Sequence, residues 1–187
     1  MTMKKATERY DLQTGELSGE YASHSEKKLS QLKGVFADET AFATMDGEQL
    51  VYEVSAHMAV QEGTPGGLFF GTSTIHPGRV GNEYFMTKGH FHNKRECAEY
   101  YWGISGEGVL LLMDEDRRCT AEQVQPGSLH YIGGYLAHRL INTGESDLVV
   151  GACWGSDAGH DYGSIETAGF SARVLCENGK AVLKESH

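Results

Sequence analysis

Proline is scarce, at 3 residues in 187. Beside it stand 24 glycines, and that mixture fits many tight turns joining strands. No apolar run approaches the length that spans a membrane, so a transmembrane helix is excluded from the reading. The first residues, Met1 to Arg9, carry charges with no apolar stretch behind them. That absence argues against a secretory signal and makes the cytoplasm the simplest location. Cys97, Cys119, Cys153 and Cys176 form no Cys-x-x-Cys pair. Scattered thiols in a non-secreted chain are expected to be reduced and packed. No basic cluster exceeds Lys27-Lys28, and the formal net charge is -10. Nucleic acid is therefore a disfavoured partner. An anionic metabolite is not, because a local metal ion and backbone N–H groups outweigh a distant field.

What is present suits one domain over residues 1–187, with 40% apolar residues to build a core. Residues 1–22 are polar and read as an N-terminal arm. Ser23-His24-Ser25-Glu26 matches a capping box, and Leu29 and Leu32 follow as an apolar stripe. A short helix ending at Gly34 is expected there. A second turn of helix is possible over Asp38 to Thr44. From Gln49 onward, strand follows strand: 50–55, 66–75, 83–87, 99–102, 109–113, 128–132, 136–141 and 147–154. Gly103, Gly106 and Gly108 separate two of them and read as a hairpin turn. The pattern is that of a small all-β antiparallel sandwich or barrel with one or two short helices.

One segment carries chemistry. Gly89-His90-Phe91-His92 places two histidines one residue apart, and Glu99 follows seven residues after His92. Side chains alternate along a strand, so His90 and His92 share a face. Glu99 is expected to join them from the partner strand of a hairpin. His138, in Ala137-His138-Arg139-Leu140-Ile141-Asn142, is a fourth candidate ligand. Same-face parity would also admit Cys97. Imidazole and carboxylate together suit iron, manganese, nickel or zinc. His57, His76 and His130 read as structural.

These segments resemble the two cupin motifs: Gly89-His90-Phe91-His92 with Glu99 and Gly106, then Gly127 with His138 and Asn142. Where the second motif commonly has proline before its histidine, this chain has Gly133-Gly134. Tyr84 to His92, Ala98-Glu99-Tyr100-Tyr101 and Asp157-Ala158-Gly159-His160-Asp161-Tyr162-Gly163 are similar to the cupin-type glucose-6-phosphate isomerases of archaea and some bacteria. Lys33 to Ala37 and Gly169-Phe170 extend the likeness, which covers roughly residues 30 to 185. The resemblance implies a jelly-roll homodimer. It implies one divalent metal ion per subunit on His90, His92, Glu99 and His138, with iron the usual assignment. It puts sugar-phosphate contacts on Ser73, Thr87, Gly89, Tyr101, His160 and Tyr162.

An aldose–ketose isomerase moves hydrogen between C1 and C2, by proton transfer through a cis-enediol or by a direct hydride shift. A bound cation helps either route by polarising the carbonyl and holding two vicinal oxygens. Glu99 and His160 are the candidate catalytic groups. Strict alternation would turn Thr87 and Gly89 away from His90, and a bulge or turn at Gly89 would bring them back. The rival readings are another metal-dependent cupin enzyme, such as a mannose-6-phosphate isomerase or a dioxygenase, and a non-catalytic sugar-binding cupin.

Overall fold

The computed structural model describes residues 2–186. The chain opens with two short strands, β1 (Arg9–Tyr10) and β2 (Leu17–Ser18), then β3 (Ala22–Lys28). A 3-10 turn (Leu29–Leu32) and helix α1 (Glu39–Thr44) lead to β4 (Leu50–His57) and β5 (Leu68–Ile75). Two short strands follow, β6 (Arg79–Val80) and β7 (Glu83–Tyr84). Next come β8 (Glu99–Ser105), β9 (Gly108–Met113), β10 (Cys119–Val124), β11 (Leu129–Ile132), β12 (Ala137–Asn142) and β13 (Leu148–Gly155). Helix α2 (Gly163–Ala168) and the hairpin β14 (Ala172–Glu177) and β15 (Lys180–Glu185) close the chain.

Every strand pair is antiparallel. A six-stranded sheet, in the order β11-β8-β13-β5-β4-β3, packs against a three-stranded sheet, β10-β9-β12. From β8 to β13 the chain wraps from layer to layer, which makes the sandwich a jelly roll. Leu110, Leu111, Leu140 and Ile141 of the small sheet and Ile75, Leu148 and Val150 of the large one lie in a single core, all of them buried. The four-stranded group β15-β14-β7-β6 lies beyond the small sheet. Strand β12 is buried along its whole length. His138 and Leu140 look between the layers, while Arg139 turns outward beneath Phe170, 4.5 Å from its ring centre. Among the described residues no helix is long and apolar enough to cross a membrane.

Two expectations are corrected. Residues 23–28 form no helix: they belong to β3, paired with β4, and the turn at Leu29–Leu32 is 3-10. The capping-box pattern misleads because β3 is an edge strand whose inner face, Ser23, Ser25 and Lys27, lines an open cavity and not the packed core. An apolar alternation has no reason to appear there. The expected stripe is real, since Leu29 and Leu32 are fully buried. The second error is the hairpin of residues 99–113. Strand β8 pairs with β11 and β13, and β9 pairs with β10 and β12. The glycines mark a corner at which the chain changes sheet. At that corner a Cβ on Gly106 (φ +78°) would meet the Asp147 carbonyl oxygen at 2.3 Å. A tight glycine turn reads the same in sequence whether the chain folds back on its own sheet or crosses to the other.

The histidine segment runs beside β12 with one extra residue. Met86 lies opposite Ile141 and His90 opposite His138, so four steps on one side match three on the other. Gly89, at φ +76°, absorbs the difference, and Leu140 N–H donates to the Thr87 hydroxyl oxygen at 3.1 Å. This is a β-bulge with glycine in the left-handed region. Alanine there would set its Cβ 2.8 Å from Phe170 and 3.1 Å from the His138 carbonyl oxygen. Gly89→Ala is expected to cost roughly 1–2 kcal/mol from the backbone conformation alone, with the steric contacts adding to it. A lowered thermal midpoint checks this, and a midpoint equal to that of the unsubstituted protein would refute the need for the bulge.

Candidate active site

His90, His92, Glu99 and His138 converge, with one ligand-capable atom from each lying within 4.8 Å of the other three. Donors bound about 2.1 Å from one ion can stand no more than about 4.2 Å apart, so a small adjustment closes the set around a cation. The two layers supply it jointly. His90 and His92 come from the bulged segment and His138 from β12, while Glu99 reaches across from β8 in the opposite sheet. Glu99 is therefore no hairpin partner of the histidines, and the pocket lies between the sheets. His138 Nε2 stands 2.6 Å and His92 Nε2 3.7 Å from Glu99 Oε1. His90 Nε2 and His92 Nε2 are buried without a hydrogen-bond partner, and the approach of His138 Nε2 to Glu99 Oε1 lacks hydrogen-bond geometry. Burying so many polar atoms unpaired is costly, and a shared metal ion satisfies them together. His92 Nδ1 lies 3.0 Å from the Cys97 carbonyl oxygen, an arrangement that leaves Nε2 free as the ligating nitrogen. Cys97 itself falls outside the cluster.

The electrostatics suit ligation. Burial, then the neighbouring rings, pushes His90 well below the ordinary imidazole value. Burial also lowers His92 and His160. Metal-binding rings must be neutral, and these are held so. Burial alone would raise the Glu99 carboxyl, but His138, His92 and His160 outweigh it and hold it below the usual range. The Tyr101 phenol is driven well above its ordinary value by burial and then by the Glu99 charge, so it remains a neutral donor.

His90, Glu99 and His138 line a cavity of about 350 Å³. Ser73, Thr87, Gly89, Tyr101 and Tyr162 border the same cavity, together with His160. Tyr101 shares the inward face of β8 with Glu99, whereas Tyr100 points outward and is exposed. His160 and Tyr162 stack with ring centres 5.7 Å apart, and the His160 ring lies 4.5 Å from His90. Their loop is tied down by Arg95, which donates to Asp161 at 2.5 Å and to the His92 carbonyl at 2.6 Å. The sequence reading missed Lys27, Tyr52 and Trp154, which also line the cavity. Lys27 sits opposite Tyr52 on the inward face of β3, a strand that the reading took for helix. Among the described residues no carboxylate pairs with Lys27, whereas Lys88 pairs with Glu166. His76 and His130 are structural: His76 bridges Glu53 and Asp147, and His130 lies 2.6 Å from Glu122. His57 packs beside Tyr21.

Acid should undo this arrangement. The fold holds His90, His92 and His160 neutral, but the unfolded chain protonates its histidines near 6.5. Below that value protons favour the unfolded chain, so stability present at neutral pH is lost as pH falls. The thermal midpoint of the metal-free protein is expected to drop between about pH 7.5 and about pH 5.5, and added metal should steepen the dependence because only neutral rings ligate. A flat profile in both states would contradict the assignment. His138→Ala should sharply lower metal content, measured by elemental analysis.

Comparison with known proteins agrees with the geometry. A family model described as glucose-6-phosphate isomerase (GPI) matches residues 26–187. The glucose-6-phosphate isomerase of Thermococcus litoralis is 43% identical over 180 residues, covering 95% of this chain and 93% of that one. The one from Thermococcus kodakarensis is 44% identical, covering 94% and 92%. The one from Pyrococcus furiosus is 40% identical, covering 95% and 93%. Among solved structures, oxalate decarboxylase from Bacillus subtilis overlays 59% of this chain on 26% of that one, with a TM-score of 0.45 and 18% identity. That overlay is too loose to bear on function. The match over nearly the whole length, with the histidines and glutamate gathered as described, places the chain in the glucose-6-phosphate isomerase family.

Proposed function

We propose that the protein interconverts glucose 6-phosphate and fructose 6-phosphate, using one divalent metal ion per subunit, iron by preference. The observation that carries this reading is a cavity lined by two chemically different groups of residues. One is the cluster of His90, His92, Glu99 and His138. The other is Thr87, Lys88, the Gly89 bulge, Tyr162, Tyr52 and Lys27. A phosphosugar needs both: donors for a dianion, and a separate place for the reacting carbons.

His90, His92, Glu99 and His138 would hold the ion, which when bound supplies Lewis acidity to polarise the sugar carbonyl. The side chains do the rest. Tyr162, Thr87 and the bulge N–H groups are neutral donors for phosphate, and Lys27 adds positive charge. Tyr101, kept protonated, can donate to a substrate oxygen beside Glu99. A cis-enediol route requires a base, and two groups are in place: Glu99, held ionised, and His160, held neutral. A hydride shift needs neither as a base and uses the same positioning. Appearance of solvent deuterium at the reacting carbons marks the first route, and its exclusion marks the second.

A coupled assay with glucose 6-phosphate, fructose 6-phosphate and mannose 6-phosphate tests the activity. Turnover of the first two, lost on chelation and restored by a divalent metal, is the expected result. Full activity in metal-free protein would reject the reading. Lys27→Ala and Tyr162→Phe each remove a phosphate contact worth roughly 1.5–3 kcal/mol. Each should raise KM for fructose 6-phosphate about tenfold or more while metal content stays unchanged. Unphosphorylated fructose turning over as well as fructose 6-phosphate would reject the phosphate contacts.

A homodimer is part of the same proposal. On the outer face of the six-stranded sheet, Leu129 and Tyr131 of the edge strand β11 are 68% and 62% exposed, beside the exposed Tyr100. Large exposed apolar side chains on a sheet edge favour burial against a second copy. Light scattering should give twice the chain mass, and Tyr131→Glu should shift it toward the monomer. A monomer mass at every concentration would refute it.

A further inference from the structure

Behind β12, on the side away from the metal ligands, lies a second cavity of about 320 Å³. Gln31, Lys33, Lys88, Arg139, Glu166 and Arg173 supply its polar lining. Arg139 is the anomaly. It is 4% exposed, stacks on Phe170 and donates to the Lys88 carbonyl, yet its Nε has no partner. Among the described residues no carboxylate pairs with it. The buried acid nearby, Glu83, is taken by Arg173 at 2.6 Å. At the rim, Glu166 is taken by Lys88. Lys33 is exposed and without a carboxylate partner among the described residues. The cavity thus has four cationic side chains on its wall and one carboxylate, in a chain of net charge -10. Burying an unmatched guanidinium is costly, and its planar fork is shaped for an oxyanion.

We propose that this rear cavity is an anion site, separate from the isomerase cavity, that takes the phosphate group of a small phosphorylated metabolite on Arg139 and Lys33. Its volume lies at the lower end of the range for small-molecule sites, which suits a compact ligand. Strand β12 separates the two sites, with His138 facing one and Arg139 facing the other, and Lys88 borders both.

The test is calorimetric titration with inorganic phosphate of the metal-loaded full chain, of Lys27→Ala, which weakens the front cavity's phosphate contact, and of Lys33→Glu. One equivalent of phosphate should bind Lys27→Ala as it binds the unsubstituted protein. Lys33→Glu should weaken that equivalent about tenfold, equal to about 1.4 kcal/mol, with turnover in phosphate-free buffer unchanged. Arg139→Gln should remove it, and Lys33→Glu carries the test alone if the buried substitution does not fold. The binding readout keeps this result independent of the isomerase reading, because Lys33→Glu must weaken one phosphate site whatever the front cavity catalyses. Phosphate bound equally well by Lys33→Glu, or lost with Lys27→Ala, overturns the proposal.

Discussion

An ionised carboxylate in the middle of a β-sandwich is the constraint around which this molecule is arranged. Glu99 is 5% exposed, and burial by itself would raise its carboxyl. His138, His92 and His160 outweigh that and hold it below the usual range, and the first two of these come from the opposite layer. The sheets are therefore joined by chemistry as well as by apolar packing. Leu110, Ile141 and Val150 pack in the apolar core between the sheets. Low local polarity strengthens each interaction inside, and it makes each unmatched group more costly.

Much of this was legible in the sequence, and the reasons are local. His90 and His92 announce a shared face by spacing, and β4, β5 and β13 show in β-branched and aromatic runs with glycine punctuation. Gly89 could be suspected as a bulge because alternation alone left Thr87 facing away. What escaped reading was whatever depends on the layer a strand joins. Glu99, expected beside the histidines, does join their cluster but was wrongly placed on a hairpin, since the turn at Gly106 looks the same in either topology. Ser23, Ser25 and Lys27 were read as helix because a strand whose inner face is polar and lines an open cavity shows no apolar alternation. Strands β10, β14 and β15 and helix α2 drew no expectation. The exposed residues of β10 and β15 carry little periodic signal, and β14 and α2 are too short to show one.

Strand β12 shows how much one short element can carry. His138 enters the metal cluster, Leu140 joins the apolar core, and Arg139 supports the opposite face beneath Phe170. The bulged histidine segment lies along the same strand, bonded through His90 to His138 and through Thr87 to Leu140. A displacement of β12 would move ligands, phosphate donors and the rear wall together.

The side chains that line the cavity differ in how deeply they are anchored. The clustered histidines and Glu99 stand on β8, β12 and the bulged segment, all bordered by other strands or core residues. Ser23, Ser25 and Lys27 stand on β3, the last strand of its sheet, with no paired strand on its far side among the described residues. Side chains on such an edge can change without repacking an interior. Affinity and selectivity for the distal group of a substrate are therefore free to drift in a lineage while the reacting centre stays fixed. A lineage acquiring a new sugar would be expected to rewrite Ser23, Ser25 and Lys27 long before it touched a histidine.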